Sequence, residues 1–169
     1  MHFILLPFII LSALGLGLSL WSHVASVMND PQPLGPWAWG LHIGIFAVWL
    51  PVVFVSRRMT EGCDRKDFWK FALRGCPAWM RWLTFGFFGY AFVNFALFML
   101  APREGKAVGK HRLFEDAPAS VVRGFSGHWM AFYAAAFSTL YSAAVISIRE
   151  GSVKMTPVDQ ADELDEQIA

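Results

Sequence analysis

The residues with the most chemical potential in this chain are its histidines. His23, His42, His111 and His128 all fall toward one end of long apolar runs. Imidazoles projecting from facing helices are how helical bundles hold haem or a metal. His42 lies five residues in from Trp37 and His128 seven in from Val121, depths of ~8 and ~10 Å at about 1.5 Å per helical residue. These depths allow the two to be paired. Arg123, five positions before His128, could meet a propionate or another anionic head group. His42, His128 and Arg123 are therefore the candidate cofactor site, for b-type haem, a metal or a quinone, while His23 and His111 read as solvent-exposed loop residues.

Facing restricts this site. At 100° per residue, His42 shares a side with Ile45, Phe46, Trp49 and Val53, roughly opposite Gly40, Gly44, Ala47 and Pro51. Both sides cannot look into one core. Whichever points outward implies a further neighbour for that helix, lipid or protein, and the Gly40/Gly44 face is the candidate surface for a partner protein or a second copy.

Other chemistry lacks its parts. No Asp, Glu, Lys or Arg lies in the middle of an apolar run, as proton-coupled transport or a charged selectivity ring would require. Phosphate-binding glycine loops, metalloprotease motifs and the G-x-S-x-G elbow are absent from the sequence. Ser126 and His128, two apart on a helix, do not face each other and make no dyad. Cys63 and Cys76 stand thirteen apart, without the close pairing of metal or redox sites, and read as free thiols.

The elements that must position these residues are membrane spans. With 56% hydrophobic residues, 16% charged and mean hydropathy +0.43, the 169-residue chain is more apolar than a soluble domain, in which about 25% of residues are charged. Four runs are long enough to cross a bilayer, 3–21, 37–55, 82–101 and 121–148. The expected fold is an all-α, four-transmembrane-helix bundle over residues 1–148, the first run being kept as an uncleaved span. A polar, acidic tail over 149–169 is too short and too charged to fold alone. Between spans 2 and 3, Lys66, Lys70 and Arg74 recur at i, i+4 and i+8 among aromatic residues, which predicts an amphipathic helix over 64–75 lying in the membrane surface.

In lipid, helices associate by close contact of small residues and a few hydrogen bonds. The fourth run presents Ala131, Ala135, Ser138 and Ser142 on one narrow face together with His128, opposite Trp129, Tyr133, Phe137 and Leu140; this predicts that the small face, with His128, packs inward. The first run carries a matching stripe of Ser12, Gly15, Ser19 and Ser22. Counted from the outer ends, Gly15, Gly44, Asn94 and Ala135 fall at nearly the same depth. Asn94, the only amide in any span, is expected to bond the hydroxyl of Ser12 or Ser138, and Ala135→Leu is expected to disturb packing more than Ala134→Leu.

Charge orients the bundle. With four spans, both termini and the middle connection share a side, which carries nine Lys and Arg, against five on the other. The positive-inside rule therefore puts the termini in the cytoplasm of a cell with this protein in its (inner) membrane. The basic residues form no patch with a reading helix, so no nucleic-acid partner is expected. The reading is of a non-catalytic interaction or accessory subunit of a membrane complex, with a small redox or ligand-binding subunit using His128 and His42 as the alternative.

Overall fold

A computed structural model describes residues 2–30, 33–100 and 119–153. The described residues form five α-helices, α1 (His2–Val27), α2 (Ala38–Met59), α3 (Phe68–Ala72), α4 (Ala78–Leu100) and α5 (Ala119–Val153), and no strand. All but the short α3 are long and apolar enough to cross a membrane. The second outer connection with His111, and the tail beyond Val153, lie outside the described residues.

The expected runs reappear with different ends. α1 continues past Trp21 to Val27, so the first part of what read as a connection from Ser22 to Pro36 is helix. The polar residues of that extension do not break it because they serve it: Ser19 and Ser26 hydroxyls donate to the carbonyls of Gly15 and His23 at 2.6 and 2.7 Å, which satisfies them inside a helix. The helix stops in a Schellman motif. Asn29 takes a left-handed φ of 58°, its N–H reaches the Ser26 carbonyl at 3.4 Å, and the Asp30 N–H reaches that of Ala25 at 2.9 Å.

The bundle is three helices around one. α1, α2 and α4 each pack on α5, α1 also touches α2, and neither α1 nor α2 approaches α4 along its backbone. The two-sided division expected for α5 therefore does not hold, because Trp129, Tyr133 and Leu140 are as buried as Ala131, Ala135, Ser138 and Ser142. Ala134 is enclosed along with Ala135, so the contrast expected between leucine substitutions at these positions loses its basis.

Tyr133 is the wedge of the core. Its hydroxyl donates to the Leu41 carbonyl of α2 at 2.8 Å, and its ring and hydroxyl lie where Cβ atoms would stand on Gly15 of α1 and Gly44 of α2. The small residues at these two points thus admit a large one from α5. Gly40 is exposed with nothing near it, so the Gly40/Gly44 pair is divided between surface and core. The buried face of α2 runs between the two faces weighed from sequence, along Leu41, Ile45, Val48, Val52 and Val55.

The connection between α2 and α4 is less regular than one amphipathic helix. A 3-10 turn over Arg65–Asp67 leads into the five-residue α3. Lys66, Lys70 and Arg74 are exposed while Ala72, Leu73 and Cys76 are buried. Anchoring falls at Gly75, whose N–H donates to Ser142 Oγ at 2.9 Å. A Cβ at Gly75 would come within 2.5 Å of the Ser142 carbonyl oxygen, so the close approach needs glycine.

The two thiols differ in consequence. The buried Cys76 thiol donates to the Ser138 carbonyl at 3.1 Å. Burial pushes it up to about 11, although Arg81 acts in the opposite direction. Cys63 is only half-buried. Since the thiolate is the nucleophile, a maleimide near neutral pH is expected to modify Cys63 and spare Cys76 until the chain is denatured. Mass spectrometry of the labelled protein reads this directly, and equal labelling before denaturation would contradict the docking of residues 73–76 on α5.

Candidate functional site

Among the described histidines, His23 is the buried one. Only 5% of its surface is exposed, because the extension of α1 carries it against the second turn of α5 and toward α4. Its Nδ1 lies 2.8 Å from Ser126 Oγ, and its Nε2 lies 2.5 Å from the Tyr90 hydroxyl. Ser126 also donates to the Val122 carbonyl at 2.7 Å. One hydroxyl proton thus stands among three acceptors, His23 Nδ1 and the Val122 and Arg123 carbonyls, the last at 3.2 Å, and which of them takes it sets the imidazole tautomer. Tyr90 bonds the other ring nitrogen, so both nitrogens of His23 are occupied. Tyr90, His23 and Ser126 thus form one connected chain across α4, α1 and α5 that ends on main-chain carbonyls of α5.

Arg123 and Asn94 extend this network. Arg123 Nη2 donates to the Ser26 carbonyl at 3.1 Å, in the last turn of α1, where carbonyls lack helical partners and the helix end is partially negative. Asn94, one turn along α4 from Tyr90, donates from Nδ2 to the Arg123 carbonyl at 2.8 Å. It does not bond Ser12, which donates to the Phe8 carbonyl, nor Ser138, whose hydroxyl pairs with Thr84 Oγ1 at 2.7 Å. Asn94 instead faces Gly127, where a Cβ would stand 2.5 Å from its amide nitrogen, while Gly15 and Gly44 share the level of Tyr133. The expected common layer therefore holds for Gly15, Gly44 and the Tyr133–Ala135 turn, and Asn94 lies about two turns away from it along α5.

His128 is exposed, contrary to its inward expectation, and the geometry of α5 explains why. With His128 at 0° and about 100° per residue, the contacts to α4 (Gly124, Gly127, Ser138) cluster near 270°. Those to α2 (Phe125, Trp129, Phe132) cluster near 70°, and that to α1 (Ser126) falls at 160°. His128 thus stands at the gap between α2 and α4, which do not meet. Near the other end α3 touches both α2 and α5, and its Trp69 packs with Phe137 and Tyr141 of α5 around Leu73, Cys76 and Met80.

No family model, curated protein or solved structure matches this chain. What the histidines can do must come from their surroundings. Trp129 Nε1 donates to His42 Nδ1 at 3.2 Å, so the proton of a neutral His42 is on Nε2. Iron or zinc needs a lone pair at that nitrogen, and His42 as placed offers an N–H instead. Arg123 lies about 140° around α5 from His128 and is engaged with Ser26, so it is not placed to meet a group held by His128. Among the described residues no cluster of three or more His, Cys, Asp or Glu could hold a metal.

The network missed by sequence reasoning had one legible signal. Ser12, Gly15, Ser19, Ser22 and Ser26 continue a single stripe at alternating spacings of three and four, straight through the point where the apolar run weakens. A stripe that keeps its period keeps its helix, and it carries His23 into the interior.

Proposed function

We propose that this protein is a multi-pass membrane protein acting as a non-catalytic interaction or accessory subunit of a membrane complex, with both termini and the basic connection cytoplasmic. The observation that carries this reading is the closure of the buried network. Both nitrogens of His23 are occupied, by Ser126 and Tyr90, and the Ser126 hydroxyl is held among carbonyls of its own helix. Such an arrangement ties α1, α4 and α5 together and offers no free base or nucleophile.

A partner helix finds room on α2, where Gly40 and Ala47 are exposed, or on α4, where Gly86 and Gly89 are open. Lys66, Lys70 and Arg74 project from the connection that the positive-inside rule assigns to the cytoplasmic surface, where basic side chains meet anionic lipid.

A second reading, as a ligand-binding subunit, has one observation in its favour. His42 carries its proton on Nε2 among Trp39, Phe46 and Phe125, with ring centroids 5.9–6.2 Å away, and His128 is exposed nearby on α5 beside Phe132. An N–H donor in aromatic surroundings suits a carbonyl oxygen, so among haem, metal and quinone it favours the quinone. A visible spectrum and a lipid extract of protein purified from its own membranes separate the two readings. A colourless protein without stoichiometric quinone, recovered with a protein partner in fixed ratio, is expected. A Soret band or bound quinone would overturn the accessory reading. Modification of Cys63 by a membrane-impermeant maleimide in intact cells would reverse the proposed orientation.

A further inference from the structure

At the basic end of the bundle, α2, α5 and the turn after α3 enclose a half-open cavity of about 180 Å³. Its lining is apolar at Val55, Met59, Ala143 and Ile146 and charged at Arg58, Arg74 and Glu150, with Ser147 completing it. The volume exceeds the ~150 Å³ of a cavity that admits a benzene ring. The lining combines a surface for hydrocarbon with fixed charge of both signs, at the level where two long apolar helices end.

We propose that this cavity receives the headgroup of a glycerophospholipid bearing a phosphodiester and a primary ammonium, of the phosphatidylethanolamine class. The proposal rests on the membrane-spanning reading. Two guanidinium groups from different elements suit the oxygens of one phosphate, and the carboxylate of Glu150 suits the ammonium. The sign balance favours this class over an anionic lipid. Glu150 and the C-terminal ends of α2 and α5, each worth about half a negative charge, nearly cancel the two arginines. Val55, Met59 and Ile146 give the same cavity an apolar wall that the glycerol and first methylenes of the lipid can meet.

The test is native mass spectrometry of the full chain released from nanodiscs made with phosphatidylethanolamine, phosphatidylglycerol or phosphatidylcholine. The wild type is expected to retain phosphatidylethanolamine about fivefold over either alternative, the ratio one exposed ion pair can supply. Arg58→Gln with Arg74→Gln should abolish retention of all three. Glu150→Gln should shift the preference to phosphatidylglycerol, which a merely basic surface would not do. Continued protection of Cys76 from maleimide shows that each variant has folded. Equal retention of the three lipids by the wild type would overturn the proposal, as would a Glu150→Gln preference unchanged from wild type. So would thermal protection by inorganic phosphate equal to that by phosphatidylethanolamine, since the site would then hold a free anion. Recovery of the chain outside the membrane fraction would instead sink the membrane reading itself.

Discussion

Gly15→Ala and Gly44→Ala are each expected to lower stability in a fixed detergent by ~1–3 kcal/mol, the usual cost of overpacking. Gly17→Ala and Gly40→Ala should leave it unchanged or raise it by up to ~1 kcal/mol through helix propensity. All four add the same methyl group to an apolar helix, and what separates them is Tyr133. Its ring fills the place of a Gly15 Cβ and its hydroxyl that of a Gly44 Cβ, while Gly17 and Gly40 face open space. The ring cannot swing away cheaply, because the residue is 2% exposed and its hydroxyl is bonded to the Leu41 carbonyl. Tyr133→Phe supplies the control. Removing the hydroxyl should restore much of the loss at Gly44 and none at Gly15, where the obstruction is the ring. Equal tolerance at all four glycines in thermal denaturation would mean that Tyr133 is not wedged between α1 and α2.

His23→Leu is expected to cost ~1–3 kcal/mol, the penalty for removing one partner of buried hydrogen bonds, whereas His128→Leu should stay within about 0.5 kcal/mol. Ser126→Ala should resemble His23→Leu, since it leaves Nδ1 of a buried imidazole without its partner. Tyr90→Phe should cost less, because Tyr90 is 43% exposed. The stronger evidence is coupling. His23→Leu combined with Tyr90→Phe should cost less than the sum of the single changes, by at least ~0.5 kcal/mol, because the two side chains share one bond. Strict additivity, or a larger loss at His128 than at His23, would remove the network from its structural role.

The failure to find His23 from sequence, and the misplacing of His128, have the same physical origin. Hydropathy locates where side chains prefer hydrocarbon, and the stretch from Ser22 to Ser26 scores poorly. Yet Ser19 and Ser26 bond carbonyls of their own helix, and His23 finds Ser126 and Tyr90 across the bundle, so none of them needs water. For His128 the helical wheel correctly aligned it with Ala135 and Ser142. Alignment along one helix says nothing about whether a neighbour is present at each level, and the neighbour is absent where α2 and α4 diverge. For His42, a hydrogen bond from Trp129, 87 positions away, decides which of its nitrogens carries the proton, and its place on one helix does not show that partner.

By itself the sequence determined the class of element and most of its extent. Apolar length specified four helices able to span a membrane, the spacing of Lys66, Lys70 and Arg74 marked an exposed basic connection, and small residues at Gly15, Gly44, Ala135, Ser138 and Ser142 marked close packing. These are local properties, set by side-chain size, polarity and the 100° step of a helix. Only the tertiary structure decided that α5 is the hub, that Tyr133 rather than another helix backbone occupies the space over Gly15 and Gly44, and that His23 is interior while His128 is not. Each of those outcomes depends on which helices meet and at what level, and no periodicity within one helix encodes its neighbours.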